Sequence, residues 1–280
     1  MSASFPMYDW PEVRGWTDQF WTLIRARLKA LGVAAPDSLD RSTDSATLWK
    51  SPALLLSQTC GYPYAVELQG DVRLVAAPHY DLEGAGVING QGTYRCPLIM
   101  RSDAVRLDAF PASADRPSDH GALLRDLHGL RFAVNGRGSL SGYRAFRSFG
   151  ARVEDVASTV LETGEHRASL DVVAAGRADI AMVDPVCWWL YRQVEAETRD
   201  ELTAIAWTQP YPILPFVTAL GRDDRQVALL REALAGAVTD LQTMGAQNGE
   251  GPVGKVQHLS LPLIGLTSVD GAAYKALANL

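Results

Sequence analysis

Apolar residues recur along this chain at two periods, and each change of period marks a change of element. Val13, Trp16, Phe20, Ile24 and Leu31, with Leu23 and Leu28 alongside, keep near-helical spacing. They predict an amphipathic helix from about Pro11, with Asp9 as its cap and Gly32 as its stop. Val227, Leu230, Leu234, Val238 and Leu241 predict a second long helix, from about Asp223 to Met244. Between them lie short apolar runs of strand length: "ALLLSQTCGY", "VRLVAAPHY", "TYRCPLIMRS", "LRFAVN", "ASTVLET", "DIAMVD", "TAIAWTQ" and "PFVTAL". "ASFPMYD" reads as a first strand and "ATLWKSP" as a short helix.

From Leu130 the order tightens. Strand "LRFAVN" is followed by a turn, a helix near Ser141 to Phe149, and strand "ASTVLET". Helix "HRASLDVVAAGRA" follows, with Leu170, Val173, Ala174 and Ala178 on its apolar face, and then the buried strand "DIAMVD". Strands alternating with helices predict an α/β fold with mostly parallel sheets. The glycine-rich stretch Glu83 to Gly92 and the proline- and serine-rich stretch Phe110 to His120 read as surface loops.

Composition narrows the function classes. With 280 residues, 47% of them hydrophobic, the chain can build two modest domains. The net charge of −6 argues against a nucleic-acid partner, which calls for a basic face, yet leaves room for a locally positive site. Cys60, Cys96 and Cys187 are odd in number and far apart, so they read as buried thiols rather than a zinc site or a disulfide framework. No apolar run reaches the length of a membrane span. "MSASFPMYDW" lacks the basic start and apolar core of a secretory leader. The chain therefore reads as cytoplasmic as written, or as periplasmic with a leader removed.

The chemistry concentrates in "VNGRGSLSGYRAF", Val134 to Phe146. A Walker loop is excluded because its lysine is missing. A dinucleotide turn matches only in part: Gly136 and Gly138 fit, Ser141 stands at the third glycine, and Glu162 is near the acidic position. An anion cradle is the third reading. Ser139 and Ser141 offer hydroxyls, Gly142 admits a ligand close to the backbone, and the following helix start offers unsatisfied amides. Plain helix capping by serine needs no ligand and competes with it.

A second stretch, "LETGEHRASLDVVAAGRADIAMVD", repeats the strand-turn-helix arrangement, with His166 in the first turn of its helix. Ligands of open α/β sheets bind beyond the carboxyl ends of the strands. Three successive strand ends would present Ser139 with Ser141, then Thr163 with His166, then Asp184. For Asp184 the competing role is the cap of helix "VCWWLYRQV". At an ordinary pKa near 6.5, His166 would be either neutral or cationic.

"GSLSGYRAF" and "TGEHRASLDVVAAGRADIAMVD" together resemble the phosphonate- and phosphate-type substrate-binding proteins of ABC transporters. That resemblance implies a two-lobe type II periplasmic-binding-protein fold with a central cleft. One lobe would take residues 1–95 and 207–280, the other 96–206. It implies a small anionic ligand whose head group is held by Ser139, Ser141, Gly142 and His166. Asp184 would face a cationic or hydroxyl group of the ligand. Gln58, Thr59 and Tyr62 are nominated from "SQTCGYPY", with Tyr8 and Tyr94 as further nominees. It implies no cofactor, no metal and an ABC permease as partner. The usual family turn carries a third hydroxyl where this chain has Leu140. Two alternatives share the fold: a cytoplasmic enzyme acting on a small chorismate-like carboxylate, with His166 and Asp184 as its acid–base couple, and a ligand-dependent sensor or accessory protein.

Overall fold

The computed structural model describes residues 1–82, 92–104, 120–195, 197–198, 200–248 and 259–280. Of the expected loops Glu83 to Gly92 and Phe110 to His120, residues 83–91 and 110–119 lie outside the described residues. The chain divides into two compact units, one holding Met1–Asp81 and Pro212–Asn279, the other Thr93–Tyr211.

The first unit begins with β1 (Ser2–Ser4), α1 (Arg14–Ala30), α2 (Ser45–Trp49), β2 (Leu54–Gln58), α3 (Gly61–Pro63) and β3 (Val72–Tyr80). The second holds β4 (Thr93–Tyr94), β5 (Pro97–Arg101), α4 (His120–Leu127), β6 (Arg131–Val134), α5 (Val153–Val156), β7 (Thr159–Glu162), α6 (His166–Ala174), β8 (Ile180–Met182), α7 (Pro185–Val194) and β9 (Leu202–Trp207). After β10 (Tyr211–Pro212) the chain returns to the first unit with β11 (Phe216–Ala219), α8 (Asp224–Asn248), β12 (Leu263–Thr267) and α9 (Gly271–Lys275).

In the first unit the sheet order is β1-β2-β11-β3-β12. Strand β2 is buried along its whole length, as its unbroken run of leucines requires of a strand covered on both faces. Helix α1 turns Trp16, Phe20, Trp21, Ile24 and Leu28 inward. Phe5 meets the ring of Phe20 at 6.1 Å and that of Phe216 at 5.4 Å, so residues distant in sequence close one aromatic cluster. Each such fully buried side chain stabilises the unit by about 1.5–3 kcal/mol.

Helix α1 starts at Arg14 rather than Pro11, and Asp9 does not cap it: Val13 is the N-cap and offers no side-chain bond. The Asp9 carboxylate instead receives Arg41 Nε at 2.6 Å. A guanidinium held by two such bonds outweighs a single amide as a partner. Helix α8 is capped as its sequence implies. Gln226 N donates to Asp223 Oδ1 at 2.7 Å, and Asp223 N donates to Gln226 Oε1 at 3.0 Å.

In the second unit the order is β7-β6-β8-β5-β9. Strands β7, β6 and β8 run parallel, whereas β5 pairs antiparallel with both β8 and β9. Strand β9 therefore runs with β8, and one reversed strand sits among four that agree. The expectation of mostly parallel sheets holds for strand direction but not for pairing. In the first unit only β1 and β2 pair in parallel: the returning strand β11 inserts antiparallel between β2 and β3, and β12 pairs antiparallel with β3.

Candidate functional site

The register of the second sheet sets the site. Arg131 to Val134 pair with Thr159 to Glu162, and Phe132 and Ala133 pair with Ile180 and Ala181. Three parallel strands thus end in step, and Asn135, Thr163 and Asp184 follow along one edge. Strand β6 sits between β7 and β8 and sends its chain into the serine turn there, the crevice where open α/β sheets bind ligands.

The turn after β6 does not open into an α-helix. Arg144–Phe149 forms a 3-10 helix, entered through long bonds from Arg144 N to Ser139 O and from Ala145 N to Leu140 O. Phe146 and Phe149, three apart, fall on one side of such a helix and stack edge-on at 5.4 Å. Leu140 is fully buried and anchors the turn in the core. The backbone amides of Leu140 and Ser141 find no acceptor among the described residues.

Around this turn the side chains converge. Gly142 N donates to Ser139 Oγ at 3.1 Å, so the Ser139 hydroxyl keeps its own hydrogen for another partner. Ser141 Oγ lies 3.1 Å from His166 Nε2, and Asn135 Nδ2 lies 3.4 Å from the same nitrogen. Asn135 Oδ1 and His166 Nδ1 are buried with no hydrogen-bond partner. Burial lowers the His166 pKa to about 4, so the imidazole is neutral at physiological pH. Helix α6 carries no side-chain cap, since its N-cap Glu165 makes no such bond.

Ser139, Ser141, Gly142 and His166 therefore lie together. Asn135 joins them, a residue that the sequence reading passed over. Its signal was available: a polar amide ending an apolar strand directly before a glycine. Thr163 is occupied otherwise, its hydroxyl lying 2.7 Å from Ser169 Oγ and 3.1 Å from Val134 O. Asp184 is buried and caps α7, accepting from Val186 N at 2.8 Å and Cys187 N at 3.3 Å. His166 and Asp184 share no hydrogen bond.

Of the nominees in the first unit, Tyr8, Gln58 and Thr59 are buried. Gln58 Nε2 donates to Leu214 O at 3.2 Å, and Thr59 N donates to Pro215 O at 3.1 Å. Tyr8 has a positive φ of 68° and sets its ring edge-on to Tyr80 at 5.9 Å. Tyr8 and Gln58 line a cavity of about 10 Å³, room for a water molecule and no more. Tyr62 lies in α3. Tyr94, in β4 of the second unit, is buried. Among the described residues no cluster of His, Cys, Asp or Glu could hold a metal ion, and no helix is long and apolar enough to cross a membrane.

Comparison with known proteins bears on this arrangement. A family model described as the periplasmic substrate-binding protein of the phosphonate ABC transporter matches residues 53–250. Among solved structures, the chain is similar to the Prochlorococcus marinus protein PhnD1 in complex with methylphosphonate. Identity is 14% and the TM-score 0.61, over 99% of this chain and 96% of that one. It is similar to a binding protein component of an ABC phosphonate transporter from Pseudomonas aeruginosa, at 15% identity and a TM-score of 0.59, over 86% of this chain and 78% of that one. A Xanthomonas citri protein bound to ATP matches at 14% identity and a TM-score of 0.64, over 100% of this chain and 95% of that one. At these identities the likeness shows the fold, that of the type II periplasmic binding proteins. No curated protein sequence matches the chain.

Proposed function

This chain belongs to the family of periplasmic substrate-binding proteins of phosphonate ABC transporters, and on that premise we propose that its Ser139–Gly142 turn holds the head group of a small phosphonate-like oxyanion. Membership of the family implies a small ligand and a permease partner. The observation that carries the head-group assignment is the set of unspent donors at one strand end: the Ser139 hydroxyl and the amides of Leu140 and Ser141. All belong to neutral groups fixed by the fold, so no side chain has to be ordered when the anion arrives. Leu140 withdraws the third hydroxyl of the usual turn into the core but leaves its amide behind.

Hydrogen bonds to a charged partner contribute about 1.5–3 kcal/mol each. Three or four of them, less the cost of immobilising the ligand, reach roughly −8 kcal/mol, a micromolar affinity. Isothermal titration with methylphosphonate tests the reading. Micromolar binding that is lost in a Ser139→Ala/Ser141→Ala double variant supports it. Absence of heat at millimolar methylphosphonate from the correctly folded wild type defeats it.

A further inference from the structure

Arg222, in the first unit between β11 and α8, is half-buried, yet no carboxylate pairs with it among the described residues. Its Nε and Nη2 each lie 3.4 Å from Leu54 O, at the start of β2. A guanidinium carries five N–H groups in a fixed plane. Facing one carbonyl with the Nε–Nη2 edge spends two of them. The Nη1–Nη2 edge keeps three, with no acceptor among the described residues. Burial pulls the Arg222 pKa down from its ordinary value, as befits a cation that has lost water without gaining a counter-ion. Its backbone is fixed as well: Arg222 N donates to Ala219 O at 3.2 Å, and Arg73 Nη1 donates to Arg222 O.

This guanidinium lines a cavity of about 400 Å³. The buried Leu55 and Leu230 and the half-buried Leu31, Val33 and Leu229 give it an apolar lining. The end of α1 builds one wall. Gly32, at a φ of 74°, lets Gly32 N reach Lys29 O at 3.1 Å and Val33 N reach Leu28 O at 2.9 Å, which closes the helix and sets Val33 in the lining. Asp223, Arg225 and Gln226 complete the polar part. Asp223 and Gln226 are engaged with each other as the α8 cap, so the helix start is not what would hold an anion. The charged side chains of the lining are two positive and one negative, a balance that one negative charge completes.

We propose that this cavity is a second binding site, one that takes a monocarboxylate with a medium-length apolar chain. The carboxylate meets the free edge of Arg222 as a bidentate pair, since its two oxygens match two parallel N–H groups. The chain lies against the leucines and Val33. The cavity stands at the start of β2, whereas Gln58 and Thr59 are at the other end of that strand, where ligands of open α/β sheets bind. A short carboxylate lacks the apolar contacts and an alcohol lacks the ion pair, so both halves of the ligand are needed.

The test is isothermal titration of the full chain with octanoate, butyrate and octanol, with and without methylphosphonate. Octanoate should bind one to one, and affinity should rise by about fourfold for each methylene buried between butyrate and octanoate. Octanol should bind at least about tenfold more weakly than octanoate. Arg222→Met keeps the apolar stem and should lower octanoate affinity to that of octanol, with the methylphosphonate titration unchanged. Leu229→Glu puts a second carboxylate in the lining and should weaken octanoate by about tenfold as well. No heat at millimolar octanoate from the folded wild type, octanol binding as tightly as octanoate, or an undiminished octanoate affinity in whichever of the two variants folds overturns the site. Displacement of octanoate by methylphosphonate puts the carboxylate in the serine turn and overturns it too.

Discussion

Replacing Gly142 by alanine tests the site at the point where its parts touch. Glycine-to-alanine changes in a compatible backbone stabilise a protein by about 0.4–1 kcal/mol, because the unfolded chain loses freedom. Gly142 has no positive φ to oppose the change, so the sign is decided by space. The new Cβ would meet Asn135 Oδ1 at 1.8 Å and Cγ at 2.8 Å, with His166 Cε1 at 3.1 Å behind them. Asn135 cannot yield toward the imidazole, so it must rotate away and give up its contact with Nε2. Forced repacking of this kind costs about 1–3 kcal/mol, which exceeds the entropic gain. Net destabilisation of about 1–2 kcal/mol should appear as a lower urea midpoint with an unchanged slope. Methylphosphonate affinity should fall by about tenfold or more, the equivalent of one lost contact to a charged ligand. Calorimetry and urea unfolding on the same sample check both numbers. A variant with wild-type affinity and wild-type stability would refute the packing argument.

Other expectations follow from the same geometry. Asp184→Ala should destabilise the protein by about 1–2 kcal/mol through loss of the α7 cap, whereas Asp184→Asn should retain most of the stability, as read by urea unfolding. His166 has its pKa lowered to about 4 by burial, so between the ordinary value of 6.5 and about 4 the unfolded chain binds the extra proton. Stability should therefore be full above pH 6.5 and decline as pH falls toward 4. His166→Phe should lose that part of the decline, and the wild-type imidazole should titrate near 4 by NMR. Burial pushes the Cys187 thiol well up and Cys96 is buried, so in native protein a maleimide should modify Cys60 first and the other two only after unfolding.

The helix-period runs at Val13 to Leu31 and Val227 to Leu241 became α1 and α8, and the short apolar runs became strands, because each pattern spans enough residues to specify a face. Errors fell where the signal is short. The segment after Ser141 has helical composition but forms a 3-10 helix, since Leu140, Phe146 and Phe149 are drawn into the core at a tighter spacing. Strand β12 and helix α4 went unread: β12 has neither clean alternation nor an unbroken apolar run, and α4 lies beside a loop-like stretch. Asp9 has the form of a cap, and only the folded chain brings Arg41 to it.

What could be read from consecutive residues was whatever depends on neighbours in sequence: the alternation of strands and helices, a turn rich in donors, and the resemblance of two motifs to one family. Tertiary structure alone decided what those donors do. Asn135, Ser141 and His166 are separated along the chain yet meet within hydrogen-bond range, with Asn135 packed against Gly142. Burial removes the charge that an exposed histidine would take up on mild acidification. Hydrogen-bond polarity and pKa depend on what surrounds an atom in space, and periodicity along the chain carries no record of that.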